Sequence, residues 1–184
     1  RDHHTYHIVR RESKTDFVRT GNAMKDIWYQ KLCILDDMVA DSDAWVLYHD
    51  ADFHLVKQMP IFYEYLSNNA EIHVVRDRTD KDVVINACNK IGINADNYFN
   101  AGFYICKFRV LKTILNEAKN IFKAETPDWG DQCAMNKAVQ KSGIVVNYLP
   151  KDHNHLDFQT TDDPQAFYGI HNKTAIQLNQ INYN

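Results

Sequence analysis

Apolar positions along the chain switch repeatedly between a helical spacing and short continuous runs. From Lys25 to Val39 they fall at Ile27, Trp28, Leu32, Leu35, Met38 and Val39, the three-and-four spacing that lines one face of a helix. Trp45 to Tyr48, "WVLY", follows as a buried strand of β-favouring residues. Pro60 opens a short helix through Leu66, and "EIHVV" (Glu71 to Val75) is a second strand. Asp82 to Lys90 reads as a helix with Gly92 as its stop signal. "YFNAGFYIC" (Tyr98 to Cys106) is a strand, Val110 to Lys123 a helix, Trp129 to Lys141 a helix ending at Gly143, and "IVVNYL" (Ile144 to Leu149) a strand. Strands alternating with helices predict an α/β sandwich on a mixed, mainly parallel sheet, with ligands gathered beyond the carboxyl ends of the strands. "HTYHIVR" near the start resembles a strand met in mid-fold, and the polar stretch from Lys151 to Gln165 is expected to be a long functional or mobile loop. The Asn- and Gln-rich tail "AIQLNQINYN" reads as a closing helix or a frayed end.

A length of 184 residues with 45% hydrophobic content suits one globular domain. The net charge of -3, from 21 basic and 24 acidic residues, contains no like-charge run of the kind that makes a nucleic-acid arm or a polybasic membrane patch. No apolar run reaches the length of a membrane span or a signal-peptide core, so the expectation is a soluble, cytoplasmic protein. Cys33, Cys88, Cys106 and Cys133 form no C-x-x-C pair and read as reduced core thiols.

The candidate chemistry starts at "WVLYHDADF", where a strand runs into Asp50 and Asp52. Two like charges so close repel unless a cation sits between them. A hard divalent ion, Mg²⁺ or Mn²⁺, takes such oxygen ligands and shares its shell with water and substrate phosphates; the same pattern also occurs in ordinary surface turns. "YFNAG" places Asn100, Ala101 and Gly102 in a small-residue opening where backbone can approach a ligand, or where a bulge interrupts a strand. "WGDQCAMNKAV" sets Asp131 and Gln132 in the first turn of a helix, where Asp131 is either a capping carboxylate or a site residue. "FYGIHNKT" ends an apolar strand on His171. A return of that strand to the same sheet would bring His171 to the edge where the aspartates stand, and an imidazole ligand favours manganese over magnesium.

In order and spacing, these four stretches resemble the nucleotide-sugar glycosyltransferases of the GT-A fold, a Rossmann-like α/β/α sandwich, and especially the retaining family 8 type, with a looser likeness to family 34. The resemblance covers roughly Lys25 to Lys173. It implies that Asp50, Asp52 and His171 hold a divalent ion on the donor's diphosphate, that Asn100 and Ala101 touch the donor sugar, and that Asp131 holds its hydroxyls with Gln132 beside the anomeric carbon. Lys173 and Lys25 become candidates for the diphosphate, although Lys173 stands nearer its histidine than the family's lysine does. "DQC" replaces the family's D-Q-D, and nothing in "RDHHTYHIVRRESKTD" matches its uridine-gripping first strand.

The implied protein is a single catalytic domain over residues 1–184, departing from or lacking that first strand. It would transfer a hexose-type sugar from a nucleotide-diphosphate donor, UDP by the family's habit, to a carbohydrate or glycan acceptor, with retention preferred to inversion. Were the reaction inverting, Asp131 would be the base. Trp129 and Asp128 are expected to meet the acceptor, the indole as a stacking platform or else as a staple in the core. His153 and His155 are expected to be exposed loop residues. A carbohydrate-binding domain without catalysis and a metal-dependent phosphohydrolase are the competing classes, and donor hydrolysis separates the three.

Overall fold

The computed structural model describes residues 21–39, 42–56, 69–79, 81–156 and 166–171. The expected N-terminal strand, the helix at Pro60 to Leu66, Lys173 and the Asn-rich tail lie outside the described residues. Helix α1 (Ala23–Met38) starts where the Asn22 side chain accepts from the backbone N–H groups of Met24 and Lys25. Strands β1 (Trp45–His49), β2 (Phe53–Leu55) and β3 (Ile72–Arg76) follow, then α2 (Asp82–Ile91), β4 (Phe99–Lys107), α3 (Phe108–Glu125), α4 (Gly130–Ser142), β5 (Val146–Leu149) and β6 (Gly169–His171). Gly92 and Gly143 close α2 and α4 in the left-handed conformation, at φ 68° and 67°, the role a C-terminal glycine serves.

The main sheet has the order β1-β4-β3-β5. It is mixed, as expected, but among the described strands only β3 and β5 pair in parallel, while β4 runs antiparallel to both β1 and β3. Helices α1, α3 and α4 cover one face, burying Tyr29, Leu32, Ile72, Val74, Tyr104, Leu115, Phe122 and Met135 among others. The other face carries Phe53, Val75, Phe103, Ile105 and Leu149. Helix α2 packs Val84, Ala87 and Cys88 against Tyr98 and Cys133.

Three expectations are corrected. Strand β1 is a half-buried strand at the edge of the described sheet, not a buried one. On α1 the buried positions are Tyr29, Leu32 and Cys33, while Ile27 and Met38 are exposed; the period is helical, but the docked face is turned from the one that apolarity alone selects. Strand β6 does not return to the main sheet: it forms a separate antiparallel pair with β2, Phe53 opposite His171. No helix among the described residues is long and apolar enough to cross a membrane.

Candidate active site

The chain leaves β1 at His49 and turns straight back into β2. Phe53 N–H closes that turn on the Asp50 carbonyl at 3.1 Å, and Asp50 N–H is tied to the Gly102 carbonyl on β4 at 2.8 Å. The turn projects Asp50 and Asp52 to one side. Because β2 pairs with β6, His171 arrives beside them: its Nε2 lies 3.0 Å from Asp52 Oδ1 and 4.0 Å from Asp50 Oδ2. One ligand atom from each of the three lies within 4.8 Å of the others. Two hard oxygens and an imidazole suit a divalent ion such as Mn²⁺.

Backbone geometry makes room for this cluster. Strand β4 shifts register against β3, so that Val74 faces Tyr104 but Arg76 faces Phe99. Residues Asn100 to Phe103 of β4 stand against Val75 alone on β3 and form the bulge that the small-residue stretch allowed. Asn100 Oδ1 accepts from Gly102 N–H at 3.0 Å inside it. A Cβ on Gly102 would stand 2.1 Å from His171 Cε1; only glycine lets the imidazole lie there.

Helix α4 brings the next two residues. Gly130 begins it at φ 49° with the Trp28 ring packed where a side chain would be, a Cβ there coming within 2.3 Å of the indole. This contact sets α1 and α4 side by side. Asp131 is buried in the first turn of α4, and its Oδ2 lies 2.9 Å from Lys31 Nζ, which is also 2.7 Å from Asp50 Oδ1. Tyr48 donates its hydroxyl to the same Asp50 oxygen at 2.5 Å. One ammonium thus joins a proposed metal ligand to the α4 carboxylate.

Glycosyltransferases are among the solved structures to which this chain is similar. They include the bifunctional glycosyltransferase WbbM in apo form (TM-score 0.61, 18% identity, 88% of this chain and 33% of that one). The galactosyltransferase LgtC with donor and acceptor sugar analogues matches at TM-score 0.56 and 19% identity, over 80% of this chain and 58% of that one. Mouse xyloside xylosyltransferase 1 in apo form matches at TM-score 0.51 and 12% identity, over 80% of this chain and 64% of that one. The fold is GT-A. The chain spans a third to just under two thirds of the length of these glycosyltransferases. No family model and no curated protein sequence matches it.

Within the GT-A fold the electrostatics divide the carboxylates. Burial disfavours ionised Asp50, but Lys31, the Tyr48 hydroxyl and His171 outweigh it and hold the carboxyl below its usual range. Burial dominates at Asp131, which stays above that range despite the same ammonium. Lys31 itself is lowered by burial and raised by Asp131 and Asp50, with a net rise that keeps it charged.

The remaining expected residues divide into two groups. Asn100, Ala101 and Gln132 meet: Gln132 Oε1 accepts from Asn100 Nδ2 at 3.2 Å and from Ala101 N–H at 3.1 Å. Lys25, Asp128 and Trp129 have other partners. Lys25 Nζ donates to the Thr126 carbonyl at 2.8 Å. Asp128 pairs with Lys90 on the surface at 2.5 Å, and half-buried Trp129 packs its ring against Tyr98 at 6.1 Å. Cys133 is buried with its Sγ 3.3 Å from the Tyr98 hydroxyl, facing the α2 cluster.

Part of the polar 151–165 stretch proves to be built structure. His153 is buried and tilted against Tyr168, which corrects the exposed-loop expectation, and His155 is half-buried with its ring stacked on Phe167. His155 exchanges backbone hydrogen bonds with β6, donating to Gly169 and accepting from His171, both at 2.9 Å. Asn154 Nδ2 reaches Asn100 Oδ1 at 3.1 Å. Sequence reasoning passed over Lys31, Asp77 and Asn154. Asp77 follows β3 as Asp50 follows β1, which was its signal; Lys31, one of several charged residues on an amphipathic helix, gave none.

Proposed function

We propose that the chain belongs to a metal-dependent glycosyltransferase that moves a hexose-type sugar from a nucleotide-diphosphate donor, UDP in the first instance, to a carbohydrate or glycan acceptor. The observation that carries the reading is the convergence of Asp50, Asp52 and His171 beside the Lys31–Asp131 pair within a GT-A fold. Residues 1–184 act in this reading as one catalytic domain. Asp50, Asp52 and His171 would hold Mn²⁺ or Mg²⁺, and the spared volume at Gly102 and the mixed oxygen and imidazole donor set fit such an ion. When bound, the ion would offset the charge that collects on the departing diphosphate.

The chain's own residues then do the following. Asn100 and the backbone at Ala101 face the donor sugar, and Asp131 takes its hydroxyls, with Lys31 holding that carboxylate in place. Gln132 keeps the bulge and the first turn of α4 together beside the anomeric carbon. The anomeric C–O bond to the diphosphate breaks, the acceptor oxygen bonds to that carbon, and its proton leaves on a diphosphate oxygen in the retaining course. An inverting course would pass the proton to Asp131, whose upward shift makes it a stronger base than an ordinary aspartate. Lys25 and Lys173 stand as candidates for the diphosphate, and Trp129 and Asp128 for the acceptor.

The experiment is a panel of nucleotide-sugars read first by thermal shift with Mn²⁺ or chelator, then by slow donor hydrolysis. The reading expects stabilisation and hydrolysis only with metal present. Hydrolysis of simple phosphate esters without turnover of any nucleotide-sugar would overturn it, and so would sugar binding with neither activity.

A further inference from the structure

We propose that Asp77 is a positioning residue whose carboxylate dictates which way the amides of Gln132 and Asn100 face. What those amides touch rests on the glycosyltransferase reading; how they are arranged rests on the structure alone. Asp77 is 3% exposed, directly after β3, with its backbone N–H on the Tyr98 carbonyl at 3.1 Å. Its Oδ1 takes the N–H and Nε of Arg78 at 2.7 and 3.3 Å, and its Oδ2 takes Gln132 Nε2 at 2.7 Å.

A carboxylate only accepts, so Gln132 must turn its NH₂ toward Asp77 and its carbonyl toward β4. Both acceptor positions of that carbonyl are filled there, by Asn100 Nδ2 and Ala101 N–H. Asn100, with its NH₂ committed, keeps its oxygen for Gly102 N–H and Asn154 Nδ2. The donors run in one direction, Asn154 to Asn100 to Gln132 to Asp77. Reversing the Gln132 amide would set its oxygen against the carboxylate and its NH₂ against two N–H donors, leaving several buried groups unpaired at once. At the far end Asn154 adjoins His155, whose two backbone bonds hold β6 and His171. Amide oxygens are otherwise free to flip; a buried, acceptor-only anchor removes that freedom across four segments of chain.

One consequence concerns Gln132. Its oxygen has no acceptor position left for an anomeric carbon, so it acts by holding Asn100 and Ala101 in place. Asp77, in turn, acts through Gln132 without touching the donor.

The test exchanges amide and carboxylate. Asp77→Asn removes the acceptor-only anchor. Gln132→Glu sets two carboxylates at 2.7 Å, the present Nε2–Oδ2 distance. The double variant restores one amide and one carboxylate in swapped places, with the introduced carboxylate accepting from Asn100, Ala101 and position 77. With UDP-glucose and UDP-galactose in Mn²⁺, each single variant should lower kcat for donor hydrolysis by about ten-fold or more while UDP binding changes by less than about two-fold, and the double variant should recover to within about three-fold of the parent.

The same cycle read by denaturant unfolding needs no substrate, and recovery of stability in the double variant is expected there too. Additive losses in the unfolding cycle would overturn the proposal. So would single variants that unfold more easily yet keep the parent's kcat, since Asp77 would then be structural only. A parent protein that hydrolyses no nucleotide-sugar, with the unfolding cycle still recovering, would instead remove the glycosyltransferase reading and leave the Asp77 arrangement standing.

Discussion

A Cβ added to Gly102 would lie 2.1 Å from Cε1 of His171 and 2.8 Å from Oδ2 of Asp50. No rotamer of the neighbours absorbs so short a contact without moving a side chain of the cluster. Gly102→Ala should therefore weaken Mn²⁺ binding by about ten-fold or more, the scale of damage to groups that position metal ligands. Isothermal calorimetry on the folded variant is the check, and an unchanged affinity would show that the cluster is not the binding site.

His171 itself divides into two roles that one variant can separate. Its backbone carries the pairing with Phe53 and the bond to His155, and neither needs the ring. His171→Ala should accordingly keep its metal-free stability to within about 1 kcal/mol, while losing Mn²⁺ affinity and donor hydrolysis. A variant with the parent's Mn²⁺ affinity and a lower unfolding midpoint would make His171 an ordinary packing residue.

Lys31 shares one positive charge between Asp50 and Asp131. Removing it in Lys31→Met leaves Asp131 buried without its cation, at a cost of about 3 kcal/mol near neutral pH. The pH dependence has a definite sign. Asp131, raised by burial against Lys31, binds more protons folded than unfolded, so its share of stability falls as pH rises from about 3.9 through the folded value. Asp50, held down chiefly by Lys31 against its burial, contributes stability above about 3.9 that is lost as pH falls. In the parent these trends oppose each other. In Lys31→Met the downward pull on both is gone, so the deficit should be smaller at pH 5 than at pH 8. Denaturant titrations at the two pH values test this, and a deficit that grows on acidification would contradict the assigned charges.

All four cysteines are free and buried. Burial pushes the Cys88 thiol up to about 11 and raises Cys106 and Cys133 as well. At pH 8 about one Cys88 in a thousand is thiolate. Labelling by an aromatic disulfide reagent should then follow unfolding, with these thiols reacting together in denaturant and hardly at all without it. Rapid native-state labelling of Cys88 would place it outside the α2–α4 cluster.

The sequence by itself determined most of the helices and strands and marked a set of candidate site residues. The 3.6-residue period, the glycine stops at Gly92 and Gly143 and the β-favouring runs are local signals, and each shaped the element that bears it. Asp50, Asp52, Asn100, Asp131 and His171 stood out because small or charged residues at element ends conflict with simple packing.

Only the tertiary structure decided how these meet. His171 reaches the aspartates through the short β2–β6 pair instead of the main sheet, because three residues, "FHL", carry too little pattern to announce a strand. Lys31 lies on a helix whose spacing suggests a solvent-facing charge, and the packing of that helix beside α4, through the shared core and the Trp28–Gly130 contact, sets it between two carboxylates. The direction of the amides from Asn154 to Asp77 has no local signal at all. It follows from one acceptor-only group that sequence separates by 55 residues from Gln132 and that the folded sheet sets beside it.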